Sequence, residues 1–96
     1  MPPPDRPDLY VVARLLDRLW RSDGPMLKTH LQIAARVNYD ILVRYLLWMK
    51  EHGLASLEND DEGHERVSLT PKGHEACRML VHWINEVVKG APQEGQ

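Results

Sequence analysis

Histidine and cysteine are the side chains here that could bind a transition metal, and the sequence holds five histidines and one cysteine. His74 and Cys77 lie three residues apart in a stretch of helical periodicity, so both could face one ion. A structural zinc site needs about four ligands, and no CxxC or HxxxH pair completes such a set. We therefore predict no metal site. We expect Cys77, in its apolar stretch, to be a buried thiol.

The pattern does not support enzyme chemistry either. The sequence has no glycine-rich phosphate-binding loop, and its serine, histidine and aspartate residues have no spacing that indicates a catalytic triad. We predict a protein that is not an enzyme and holds no cofactor. The opening residues lack the basic-then-apolar order of a signal peptide, and no apolar run is long enough to span a membrane. By elimination these features, with the single cysteine, favour the cytoplasm of a prokaryote-like cell.

Positive charge is concentrated in one stretch of the chain, although the net charge is −2. Residues 27–53 hold four basic and two acidic side chains, whereas residues 54–70 hold one basic and five acidic ones. The middle stretch is therefore where a nucleic acid could bind. Its basic side chains are Lys28, Arg36, Arg44 and Lys50.

The elements that would position these residues begin with three predicted helices. The first is capped by Asp8 and runs to about Ser22, with Leu9, Val12, Leu16, Leu19 and Trp20 on its inward face. The second spans residues 28–35, and the third begins after Asn38 and ends before Gly53. A link of three residues, 36–38, joins them, which predicts a helix-turn-helix. The expected core stripe of the third helix is Leu42, Tyr45, Leu46 and Met49.

A β-hairpin and a long helix complete the chain. Residues 54–59 and 65–70 alternate in polarity around an acidic loop with Gly63, which predicts two paired strands. Thr70 and Pro71 start a last helix that reaches about Lys89. The predicted fold is α+β, mainly α: a winged helix-turn-helix with three helices, a hairpin wing and a long C-terminal helix. Residues 8–89 form this domain, between a disordered lead-in at 1–7 and a disordered tail at 90–96.

The same residues resemble a family of small archaeal winged helix-turn-helix proteins. The resemblance covers residues 9–89 and implies a dimeric DNA-binding protein with a long C-terminal helix. It rests on Gly24-Pro25, Lys28-Thr29, Leu31, Ala35, Val37-Asn38-Tyr39, Leu42, Arg44-Tyr45-Leu46, Gly53-Leu54, Leu69-Thr70-Pro71-Lys72-Gly73 and Glu75.

In this fold the third helix enters the major groove of DNA, and its first residues meet base edges. The second helix and the turn then contact phosphates. The base-reading candidates are Asn38, Tyr39, Asp40, Val43 and Arg44. The phosphate-contact candidates are Lys28, Thr29, Gln32 and Arg36.

Several of these residues fit a second role. Asn38 could read adenine, but its position favours a helix cap. Tyr39 fits core packing as well as phosphate contact, and Arg44 fits either a guanine contact or a solvated surface position. Thr29 could cap the second helix, and Asp40 suits the helix dipole better than a DNA groove.

The wing departs from the pattern of a DNA binder. Its tip carries the adjacent carboxylates Asp60, Asp61 and Glu62, which phosphates would repel. We predict that the tip does not insert into DNA, and that only His64 and Arg66 could touch the backbone. With so few basic residues, binding by one subunit should be weak and salt-sensitive.

The last helix is apolar over more of its surface than packing on one small domain requires. We therefore predict that two copies pair through it, together with part of the first helix. The alternative is a last helix buried on several sides within one chain. Trp20, Trp48 and Trp83 are expected to be core or interface anchors. The predicted dimer contacts are Leu80, Trp83, Ile84, Val87 and Val88.

Three functions remain open: a sequence-specific regulator of transcription, a non-specific chromatin-like DNA binder, and a protein-interaction module without DNA binding. The modest positive charge argues against the second. The acidic wing and the apolar Val43 and Leu47 would suit the third. The sequence favours the first, with double-stranded DNA and a second copy of the chain as partners.

Overall fold

The computed structural model describes residues 3–89 and contains four α-helices and a small antiparallel sheet. The helices are α1 (Leu9–Arg21), α2 (Lys28–Ala35), α3 (Tyr39–Glu51) and α4 (Pro71–Trp83), which continues as a π-helical segment over Ile84–Lys89. The strands are β1 (Met26–Leu27), β2 (Ala55–Asn59) and β3 (Glu65–Leu69). The predicted fold class, a mainly helical winged helix-turn-helix, is confirmed. The expected stop at Gly90 and the tail lie outside the described residues.

Side-chain caps fix where α1, α3 and α4 begin. Asp8 accepts a hydrogen bond from the Tyr10 amide, and Thr70 accepts one from the Gly73 amide at 2.9 Å. Each cap satisfies a backbone N–H that the first helical turn cannot pair. The Asp8 amide also donates to the Tyr45 hydroxyl at 2.9 Å, which ties the start of α1 to α3. These local signals explain why the predicted helix bounds agree with the structure.

The core lies between the four α-helices and the sheet. The α3 stripe is buried as predicted. The predicted inward face of α1 was partly wrong, because Leu9 is 50% exposed and Trp20 45%, whereas Leu15 is fully buried. The buried stripe of α1 runs through Val12, Leu15, Leu16 and Leu19, and the two exposed residues lie at its edge.

The strand β1 was not predicted. It pairs with β3 in the register Met26 with Val67 and Leu27 with Arg66, so the strand order is β1-β3-β2. Two residues are too few to show an alternating pattern in the sequence. The pairing fastens the start of α2 to the wing.

A close packing contact joins α4 to the wing at Gly73. A Cβ built on this glycine would lie 1.9 Å from the Leu54 carbonyl oxygen. Only a residue without a side chain allows α4 to approach the sheet this closely. Among the described residues, no helix is long and apolar enough to cross a membrane.

Candidate nucleic-acid interface

The turn between α2 and α3 depends on a left-handed residue, Arg36, with φ 59° and ψ 49°. The Arg36 amide donates to the Ile33 carbonyl at 3.2 Å, and the Val37 amide donates to the Gln32 carbonyl at 3.3 Å, which closes α2. A non-glycine residue in this region costs free energy. The conformation leaves the Arg36 side chain exposed at the corner of the motif.

Asn38 starts α3 as a helix cap. Its Oδ1 accepts a hydrogen bond from the Ile41 amide at 2.8 Å, so the cap role that the sequence favoured is confirmed. The cap uses the side-chain oxygen of Asn38. Tyr39 follows it and is 46% exposed, so this side chain is not part of the core.

The outward side of α3 is left uncovered at its ends and half-covered in the middle. Asp40 and Glu51 are exposed, whereas Val43, Arg44 and Leu47 are half-buried. These residues lie opposite the buried stripe of the helix. The face is therefore a mixture of charged and apolar side chains.

Helix α2 begins without a side-chain cap. Leu27 occupies the cap position, and Thr29 is exposed inside the first turn, so the alternative cap role for Thr29 was wrong. Gln32 is half-buried one turn further along. The uncapped N–H groups at this end are the kind that hydrogen-bond to anions.

Lys28, a predicted phosphate contact, forms an ion pair with a carboxylate of the wing. Its Nζ lies 2.6 Å from Oε1 of Glu65, with 23% of the Lys28 side chain exposed. The cause is the unpredicted strand: pairing of Leu27 with Arg66 in antiparallel register brings the residue after Leu27 beside the residue before Arg66. No local sequence pattern could predict this ion pair, because Lys28 and Glu65 lie far apart in the sequence.

A groove of about 170 Å³ separates α3 from the wing. It brings together two of the predicted site residues, Lys28 and Val43, and adds Lys50, which the predicted site omitted. The other predicted contacts, in α2, in the turn and on α3, do not line this groove. Its remaining lining residues are Leu46, Leu47, Leu57 and Glu65.

The wing tip is organised around Asp60. Its Oδ1 accepts hydrogen bonds from the Glu62 and His64 amides, both at 2.9 Å, and its Oδ2 accepts one from Arg66 Nε at 2.8 Å. The Arg66 hydrogen bond, with the backbone donors, lowers the pKa of Asp60 to about 2. Arg66 is therefore engaged within the wing.

His74 and Cys77, the two residues with metal-ligand spacing, differ in exposure. Cys77 is buried, which raises the pKa of its thiol to about 11, and the exposed His74 packs its ring on Trp20 with centroids 5.2 Å apart. At the wing tip, ligand atoms of Asp60, Glu62 and His64 lie within 4.8 Å of one another. The turn at the wing tip accounts for the short distances between these three side chains, because Asp60 accepts hydrogen bonds from the Glu62 and His64 amides.

The predicted dimer residues do not share one environment. Trp83, Val87 and Val88 are exposed, Leu80 is half-buried, and Ile84 is only 5% exposed within the single chain. Ile84 therefore packs internally and offers little surface to a partner. Met79, which the prediction omitted, is 59% exposed. Trp20 and Trp83 are not core anchors, because about half of each side chain is exposed. The ring of Trp48 stacks on the ring of His52, with centroids 4.5 Å apart.

No family model matches the chain. A stretch of 59 residues is 32% identical to the valine–tRNA ligase of Trichomonas vaginalis, and it covers 62% of this chain but only 12% of the ligase. A match to so small a part of a synthetase carries no inference about its activity.

Three solved structures share the fold over most of the chain. A MarR-family transcriptional regulator from Silicibacter pomeroyi is 25% identical with a TM-score of 0.70, over 88% of this chain and 62% of that one. The DNA-binding protein Sso10a-2 from Sulfolobus solfataricus is 16% identical with a TM-score of 0.72, over 93% and 92%. A mutant of MepR from Staphylococcus aureus, bound to an oligodeoxyribonucleotide, is 14% identical with a TM-score of 0.70, over 88% and 63%.

The chain thus spans somewhat under two thirds of the MarR-family regulator and nearly all of Sso10a-2. At these identities the likeness establishes the architecture. The described chain has the winged-helix fold of known DNA-binding regulators.

Proposed function

We propose that this protein binds double-stranded DNA as a homodimer and regulates transcription, with α3 as the helix that enters the major groove. One observation carries the proposal: α3 packs on the core through a single stripe, and the start of its opposite side remains uncovered beside the exposed Arg36. A helix in this position is what a duplex requires. The winged-helix neighbours that are DNA-binding proteins support the same reading.

The charges near α3 make binding by one subunit weak. Lys28 is paired with Glu65, and Asp40 and Glu51 lie on the outward side of the helix. Affinity for DNA depends on the number of phosphates that basic side chains neutralise. Two linked copies would multiply the effect of each weak contact.

The experiment is a fluorescence-anisotropy titration of labelled duplexes at several salt concentrations. Arg36→Asn removes the charge and keeps a residue that tolerates the left-handed conformation. We expect it to weaken binding roughly 3- to 10-fold and to flatten the salt dependence by about 0.9 in log–log slope. Arg18→Asn is the control, because Arg18 is an exposed arginine on α1, outside the motif.

The form of binding decides between the open functions. Preference for selected genomic sequences supports a regulator, whereas uniform affinity for all duplexes indicates a chromatin-like role. No binding at low salt would remove the DNA proposal and favour a protein-interaction module.

The dimer would form through the exposed apolar stripe of α4 and its extension. Met79, Trp83 and Val87 lie four residues apart and are each about half exposed or more. Such spacing puts them on one side of a helix, where a copy of the same stripe can pack. We expect Trp83→Glu to shift sedimentation toward the monomer. His82→Glu, a change at an exposed polar position of the same helix, should leave the dimer intact.

A further inference from the structure

The groove between α3 and the wing has an apolar floor. Val43 and Leu47, four residues apart on α3, line it and are both half-buried, and Leu57 lines it from β2. The volume of this groove, about 170 Å³, is below the roughly 300 Å³ at which pockets begin to hold drug-sized ligands. The floor therefore suits a small apolar group that projects from a larger partner.

A cation lies beside this floor. Lys50, three residues after Leu47 on α3, lines the groove and is exposed. Lys28 also lines the groove, but Glu65 holds its ammonium group. In the part of the chain that the structure describes, Lys50 forms no ion pair. The ammonium group of Lys50 can therefore pair with an anion of the partner.

We propose that this groove recognises thymidine: Val43 and Leu47 contact the 5-methyl group of thymine, and Lys50 pairs with a phosphate of the DNA. The inference rests on the proposed function, in which α3 enters the major groove, and it adds the base that the helix prefers. Of the four DNA bases, thymine alone presents a methyl group in the major groove, where apolar side chains contact it.

The charge of the groove favours DNA over a protein as the occupant. Two lysines and one carboxylate, Lys28, Lys50 and Glu65, line the groove, so its net charge is positive. An apolar side chain of a protein would fill the floor and leave this charge uncompensated. A thymidine nucleotide carries a methyl group and a phosphate together, so one partner matches both the floor and Lys50.

The test compares two short duplexes that differ only in this methyl group, alternating dA-dT and alternating dA-dU. Fluorescence anisotropy with the full chain at low salt measures both affinities. We expect the native protein to bind the dA-dU duplex roughly 2- to 5-fold more weakly, because each lost methyl contact exposes about one buried CH₂ group.

Two variants separate the methyl contact from the phosphate contact. Val43→Ala should remove most of the difference between the duplexes, whereas Ile33→Ala, at an exposed apolar residue of α2 outside the groove, should keep it. Lys50→Gln should weaken binding to both duplexes by the same factor, roughly 3- to 10-fold, and flatten the log–log salt dependence by about 0.9. Arg18→Gln, on α1 and outside the groove, should change neither quantity.

The outcomes distinguish this inference from the proposed function. Clear binding of the native protein to both duplexes with equal affinity would overturn the inference and leave the proposed function standing. A difference that persisted in Val43→Ala would also overturn it, because the methyl group would then act through the shape of the duplex. Unchanged affinity in Lys50→Gln would contradict the phosphate contact. Binding to neither duplex at low salt would contradict the proposed function as well.

Discussion

The Nζ atom of Lys28 lies 2.6 Å from Oε1 of Glu65, so an ion pair joins the first residue of α2 to the wing. In a DNA complex, the Glu65 carboxylate would compete with a DNA phosphate for the Lys28 ammonium group. Glu65 therefore lowers the positive charge that the helix-turn-helix presents.

From this ion pair we predict that Glu65→Gln strengthens DNA binding. Freeing Lys28 should raise affinity roughly 3- to 10-fold at low salt and steepen the log–log salt dependence by about 0.9. Anisotropy titration measures both quantities. The control is Asp61→Asn, which removes an exposed wing carboxylate that pairs with no described cation and should leave the slope unchanged. An unchanged slope in Glu65→Gln would show that Lys28 does not reach a phosphate.

The left-handed conformation of Arg36 predicts opposite effects on stability and on DNA binding. Glycine adopts φ near 59° without a steric cost, so Arg36→Gly should raise the free energy of unfolding by about 0.5–1 kcal/mol. DNA affinity should fall, because the charge is lost. Arg18→Gly, in the last turn of α1, should instead lower the free energy of unfolding by up to about 1 kcal/mol. Urea denaturation distinguishes the signs, and destabilisation by Arg36→Gly would contradict the account.

Replacing Gly73 tests the contact between α4 and the wing. Alanine at this position would place a Cβ 1.9 Å from the Leu54 oxygen, and backbone atoms would have to move. We expect Gly73→Ala to destabilise the fold by about 3 kcal/mol or more, although alanine is the better helix former.

Gly24→Ala is the matched change, because a Cβ there would meet nothing within 4 Å. It should alter stability by less than about 1 kcal/mol. Thermal denaturation followed by circular dichroism compares the two variants. Similar melting temperatures would show that the close approach at Gly73 does not exist in solution.

The wing tip should respond to acid through Asp60. The Arg66 hydrogen bond is the main cause of its lowered pKa of about 2, so Arg66→Gln should raise that pKa toward the ordinary value of 3.8. A carboxyl with a lowered folded-state pKa stabilises the fold above the unfolded pKa, near 3.8, and this contribution is lost as the pH falls toward 2.

Carboxyl chemical shifts titrated by NMR measure the Asp60 pKa directly. The native protein, titrated under the same conditions, is the reference. A value that stayed near 2 in Arg66→Gln would assign the shift to the backbone donors of the turn instead.

Local signals made most of the fold predictable. Asp8, Asn38 and Thr70 cap helices through bonds to amides two or three residues away, and this chemistry is visible in sequence. The buried stripe of α3 was predicted from apolar residues that recur every three or four positions. The hairpin followed from alternation around Gly63.

The parts that were missed depend on contacts between distant residues. The strand β1 exists because residues 26–27 meet β3, and the pairing of Lys28 with Glu65 follows from that register. Burial of Ile84 depends on how α4 meets α1. The left-handed conformation at position 36 could not be predicted, because the residue there is an arginine and not glycine or asparagine. The candidate site was therefore predicted as a list of residues, while their ion pairs and exposure required the structure.

The most direct test of the central claim is amide chemical-shift mapping of the native protein during titration with a duplex at low salt. We predict shifts that concentrate in residues 28–44, with the wing tip at 60–62 little affected. The contrary result is an unchanged spectrum, or shifts confined to α4. Either outcome would mean that the helix-turn-helix does not bind DNA.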